Sequence, residues 1–97
     1  MVPKQLIDRI AKRQEMGRDK LIQEGLIAYL QSQKRELLSE RLELLARYNA
    51  PDSPTLKQLI KTGKAPEHPA WQDLIEIHNI EHQLKEINLD LRRLQKN

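Results

Sequence analysis

The sequence predicts an all-α protein: a short N-terminal helix, a long helix, a second short helix and a long C-terminal heptad helix, completed as a dimeric helical bundle. Three observations predict it. Strand signals are nearly absent: Val occurs once and Thr twice among 97 residues, and no alternating run of four or more appears. Gly and Pro collect between the periodic stretches, with Gly25 the exception. Apolar residues recur every three or four positions, the period of a helix.

Pro3 suits a first helical turn, where its missing N–H costs nothing. From there Leu6, Ile7, Ile10 and Ala11 mark one face to about residue 15. Met16 and Gly17 break the chain, and Asp19 favours the next N-terminus as a cap or through the helix dipole. A long helix is then expected from about Arg18 to Tyr48, roughly 45 Å at 1.5 Å per residue. Its apolar residues are Leu21, Ile22, Leu26, Tyr29, Leu30, Leu37, Leu38, Leu42, Leu44, Leu45 and Tyr48. Asn49 to Pro54 is the clearest linker, with Ser53 read as N-cap and Pro54 as first helical residue. A short helix over 54–63 carries Leu56, Leu59 and Ile60 and stops at Gly63 in a left-handed conformation. Lys64 to Pro69 forms the second linker, and Pro69 opens the last helix, 69–96. There Ile77, Ile80, Leu84, Ile87, Leu91 and Leu94 follow a three-four spacing, a heptad seam. Asp73 and Glu76 near its start, and Arg92, Arg93 and Lys96 near its end, suit the helix dipole. All of this amounts to one helical domain, 1–97, whose first unit is the helical pair 3–48.

An exposed seam of six Leu and Ile side chains costs several kcal/mol at about 25 cal/mol per Å2. Two long helices joined by a short one are expected to leave much of 37–48 or 77–94 uncovered in a single chain. A homodimer that completes a four-helix bundle relieves this. The expected dimer or partner interface is therefore Leu26, Tyr29, Leu30, Leu37, Leu44, Trp71, Ile77, Ile80, Leu84, Ile87, Leu91 and Leu94. Ile75 and Leu89 add a weaker stripe opposite the seam. Trp71 reads either as a partner anchor or as a plug in its own core.

Composition narrows the function classes. Aromatics make up 3% of the chain, Phe is absent and charged residues reach 32%, so a deep, water-excluding substrate pocket and a small-molecule substrate are not expected. Without cysteine there are no disulfides, thiol nucleophiles or thiolate metal sites. No apolar run reaches the ~20 residues of a membrane span, and the start lacks a signal-peptide core. A cytoplasmic protein without membrane contact is the expectation. The net charge is +3, and residues 1–20 hold six basic against three acidic residues while the rest balance at eleven each. Lys4, Arg9, Lys12, Arg13, Arg18 and Lys20 are the candidate nucleic-acid contacts, since such an end suits phosphates or an acidic protein.

His78-Asn79-Ile80-Glu81-His82 has the H-x-x-E-H letters of a zinc peptidase class. Two histidines four apart share a helix face and can chelate a metal, but a catalytic site also needs a third ligand and a dry cleft. His68 lies far off along the chain, and His78 and His82 fall outside the seam, so no metal, cofactor or enzyme activity is expected. Ser32, Ser39 and Ser53 have no His–acid partners in sight, and the three glycines are isolated, which leaves no phosphate loop.

The stretch Arg18-Asp19-Lys20-Leu21-Ile22-Gln23-Glu24-Gly25-Leu26-Ile27-Ala28-Tyr29-Leu30 resembles the second helix of ribbon-helix-helix proteins. Pro3 to Arg13 resembles their first helix, and the likeness covers about residues 3–30. Gly25 stands where that family usually has Ala at a crowded helix contact. The resemblance implies an obligate dimer, a bacterial repressor or the DNA-binding half of an antitoxin. That family reads DNA with a strand ahead of the first helix. Here only Met1 and Val2 precede Pro3 and the inter-helix connection is short, so ribbon readout transfers to no residue. The expected function is a small non-enzymatic, antitoxin-like regulator acting through helical dimerisation and a protein partner. The alternatives are a DNA-binding repressor of ribbon-helix-helix type, or a structural assembly adaptor.

Overall fold

The computed structural model describes residues 1–96, and within them the chain is all-helical: α1 (Lys4–Arg13), α2 (Arg18–Ala46), α3 (Ser53–Lys61) and α4 (Glu67–Gln95). The two long helices run antiparallel. Gln23 Nε2 donates to the Leu94 carbonyl at one end of the pair, Arg41 meets Glu81 in the middle, and Tyr48 reaches Asp73 at the other. Each long helix has 29 residues, so each covers the other along its length. α3 lies across the closed end of this hairpin and α1 packs on α2 at the open end. The molecule is a rod of 60 × 25 × 18 Å.

This pairing corrects the expectation that the heptad seam stays bare in one chain. Ile77, Ile80, Leu84, Ile87 and Leu91 are all buried within the protomer. The core at the closed end joins Leu44, Leu45, Leu56, Ile60, Leu74, Ile77, Ile80 and Leu84, with Leu37, Tyr48 and Leu59 packed at its margin. A seam states which face must be covered; here α2 covers it.

The helix ends follow local chemistry, with several shifts from the expected boundaries. Between α1 and α2 the left-handed residue is Glu15 (φ 56°), not Gly17 (φ −75°). Gly17 precedes α2 without a side-chain cap, and Asp19 stands in the first turn. α2 ends two residues earlier than expected. Asn49 turns left-handed (φ 55°), and the Ala50 N–H reaches back 3.1 Å to the Leu45 carbonyl, a closure that Asn tolerates well. α3 is capped by Asp52, whose Oδ1 accepts the Thr55 N–H at 2.8 Å, so Ser53 is the first helical residue and not the cap. Gly63 adopts the left-handed conformation expected of it, φ 75°. α4 has a non-helical residue at His68, before the cis bond to Pro69.

Candidate interaction surfaces

The interior polar groups are structural ties between helices. Asp73 is 7% exposed; it accepts the Tyr48 hydroxyl and lies 3.3 Å from Arg47 Nη1. Burial, and then the bond to Asp73, push the Tyr48 hydroxyl up to about 12. One register further on, Glu81 accepts Arg41 Nε at 2.8 Å and the Ser53 hydroxyl at 3.1 Å, tying α2, α3 and α4 together. Among the described residues no buried side-chain polar atom is left without a partner, and the Arg41–Glu81 pair borders a groove between α2 and α4. Sequence reasoning missed both ties. Asp73 had a signal: it precedes Ile77 by four residues, which places a carboxylate on the seam itself.

Among the uncovered apolar surfaces, two lie on opposite broad sides of the hairpin, while Trp71 and Ile75 stand exposed on α4 near the closed end. The first lies at the open end, where Ile22, Leu26 and Tyr29 of α2 are exposed, Tyr29 at 62%. Leu26 and Tyr29, with Leu30, Leu94, Asp90 and Arg93, line a shallow groove of about 430 Å3, and Ile22 lines a neighbouring hollow with Asp19, Gln23, Leu26 and Leu94. Gly25 sits in the same stretch of α2, and a Cβ placed on it would meet nothing within 4 Å. The second surface is at mid-length. Leu38, Leu84, Lys85, Asn88, Leu89, Arg92 and the Arg41–Glu81 pair line a groove of about 640 Å3, and Leu42 stands beside it at 69% exposure. Helical spacing puts Leu38 and Leu42 on one side of the α4 contact, and Ile22, Leu26 and Tyr29 on the other.

The expected interface residues therefore separate. Leu44, Ile77, Ile80, Leu84, Ile87 and Leu91 belong to the intrachain core, with Leu37 at its edge. Leu26 and Tyr29 are exposed, and Leu30 and Leu94 are half-buried at the rim of the first groove. Trp71 is 36% exposed and does not plug the core; Ala70 and Leu74 take that place.

The basic residues also divide. Arg18 makes a bidentate contact with Asp8, 2.6 and 2.8 Å. That hydrogen-bonded guanidinium holds the Asp8 carboxyl below its ordinary range and raises Arg18 in turn. Lys20 pairs with Glu24 at 3.0 Å. Arg9, Lys12 and Arg13 take part in no ion pair among the described residues, and Lys4 stands one turn from Asp8. The antiparallel hairpin brings the far end of α4, with Arg92, Arg93 and Lys96, to this same end of the rod. Residues 1–20 and 90–96 together hold nine basic and four acidic residues, against eight and ten over 21–89. The charge asymmetry is thus larger in space than along the chain.

His78 and His82 lie on the exposed outer side of α4, where the heptad register put them, and His82 Nε2 is 2.7 Å from Glu86. Among the described residues no three His, Asp or Glu side chains converge as metal ligands, and no helix is long and apolar enough to cross a membrane.

The model of the uncharacterized protein MJ0235 family matches residues 1–97, and the chain belongs to that family. No curated protein and no solved structure matches it.

Proposed function

We propose that this member of the MJ0235 family is a non-enzymatic regulatory protein of antitoxin-like organisation, which pairs with a second copy through one uncovered face and holds a protein partner with another. The observation that carries the reading is the open-end surface of α2. Ile22, Leu26 and Tyr29 leave large apolar area in water around a mid-helix glycine with open space above it. Glycine inside a helix costs about 1 kcal/mol relative to Ala, and no packing within the chain requires it here. A second helix crossing close over Gly25 gives that residue a reason and covers its apolar neighbours. The contact moves away from the heptad seam, which α2 of the same chain already fills.

Sedimentation of Leu26→Glu/Tyr29→Glu tests the reading. Both residues are exposed in the protomer, so the variant folds with unchanged helicity and sediments as a monomer where the wild-type chain is a dimer. A wild-type chain that is monomeric at high micromolar concentration, or a double variant that stays dimeric, refutes it.

A second reading, contact with DNA, is favoured by one observation: among the described residues Arg9, Lys12 and Arg13 lie outside every ion pair at the end where charge accumulates. Those three residues and Lys4 carry it, while Arg18 and Lys20 are engaged by carboxylates. Affinity for a DNA duplex then falls steeply with salt and is lost on reversing Arg9, Lys12 and Arg13. A flat salt dependence removes this reading and leaves the first intact.

A further inference from the structure

The mid-length groove between α2 and α4 has a chemistry of its own. Its floor is Leu84, buried in the core, and its apolar walls are Leu38 from α2 and Leu89 from α4. Lys85 and Arg92 stand on either side of Leu89 along α4, seven residues and about 10.5 Å apart. Arg41 also lines the groove, but Glu81 holds it at 2.8 Å. Lys85 and Arg92 join no ion pair among the described residues. One helix face thus presents cation, leucine, cation beside an uncovered leucine pair, Leu38 and Leu42, on the neighbouring helix.

We propose that this groove docks an acidic amphipathic helix of a partner protein, which places an apolar side chain between Leu38 and Leu89 and a carboxylate against each of Lys85 and Arg92. The inference rests on the partner-binding reading above and assigns that partner its surface. Carboxylates one heptad apart on the incoming helix match the spacing of the two cations, and its apolar residues replace water over the leucines. A basic segment meets like charges at the same positions, so charge sets the selectivity while the leucines supply the contact area. A second copy of this chain fits less well. Around Leu89 it offers its own Lys85 and Arg92, and a two-fold contact there brings like charges together.

The test uses the full chain and a labelled synthetic helix of roughly 15 residues, about four turns, with Leu on one stripe and Glu flanking it. A twin peptide with Lys in place of Glu is the comparison. The acidic peptide is expected to bind at least about tenfold more tightly than the basic one, and the preference to weaken as salt rises. Lys85→Glu/Arg92→Glu reverses the preference, and Leu38→Gln/Leu89→Gln abolishes binding of both peptides, each variant keeping wild-type helicity. Equal binding of the two peptides, or a preference untouched by the charge reversal, overturns the proposal. So does a Leu38→Gln/Leu89→Gln variant that turns a wild-type dimer into a monomer, which assigns the groove to a second copy. A DNA duplex that displaces the acidic peptide at Lys85 and Arg92 also overturns it. The Leu26→Glu/Tyr29→Glu chain is expected to retain peptide binding. If that variant stays dimeric, the self-association reading falls while the docking result stands by itself.

Discussion

Truncating Ile77 to alanine separates a seam filled within the chain from one filled by a second copy. Ile77 has no exposed surface in the single protomer and sits in the core cluster with Leu44, Leu45, Leu56 and Leu74. Removing three carbons from such a site forfeits about 0.8 kcal/mol each in transfer free energy. The cavity left behind raises the cost to about 3 kcal/mol, within the span of buried isoleucine-to-alanine changes. A chain of this length has a total stability of about 5–15 kcal/mol, so the loss is a large fraction of it. At about 4–8 °C per kcal/mol for a domain of this size, the melting midpoint falls by about 12–24 °C. Thermal and urea unfolding followed by circular dichroism, at two protein concentrations a hundredfold apart, measure this. The difference between variant and wild type should be the same at both concentrations, because the cavity lies inside one chain. A loss under about 1 kcal/mol, or a difference that grows on dilution, would refute the intrachain assignment of the seam.

Gly25→Ala divides folding from association: without a neighbour to meet, the methyl group adds about 0.5–1 kcal/mol to protomer stability, while a close helix crossing at that point loosens the dimer in sedimentation. Stabilisation with unchanged dimerisation would place the crossing elsewhere. Asp73→Ala leaves the half-buried Tyr48 hydroxyl without its acceptor and costs about 1–3 kcal/mol in urea unfolding; paired with Tyr48→Phe the two changes are strongly non-additive, and simple additivity would dissolve the tie. Because the folded Tyr48 hydroxyl is raised from 10.0 to about 12, its contribution is intact below pH 10 and is lost as pH rises toward 12, a loss that Tyr48→Phe removes. Asp52, whose carboxylate is held below its ordinary value of 3.8 by the bonds from Thr55, contributes above that value and loses its effect as pH falls through the folded one. Asp52→Ala frays α3, read as faster amide exchange at Thr55, and unchanged protection there would show that the cap is idle.

Local chemistry determined the helices. Scarce Val and Thr, the proline and glycine clusters at 49–54 and 63–69, and the spacing from Ile77 to Leu94 are short-range signals, and a helix is built from short-range bonds. The same register put His78 and His82 outward and Gly63 in its left-handed turn. Boundaries slipped where two local solutions competed. Asp52 and Ser53 are both good caps, and Glu15 took the left-handed position beside a glycine that did not need it. Tertiary structure decided what covers what. Periodicity defines the stripe that must leave water but says nothing about its partner, because burial is non-directional. Two helices of equal length, closed by α3, satisfy each other within one chain, and no count along the sequence reveals that match. From the same antiparallel return follow the two features the sequence did not disclose. Arg92, Arg93 and Lys96 arrive at the same end of the rod as Arg9 and Lys12, more than seventy residues away along the chain. The leucines of the two long helices left outside divide into a face around Gly25 and a cation-flanked groove around Leu89, since only the direction of α4 fixes which side of α2 stays open to solvent.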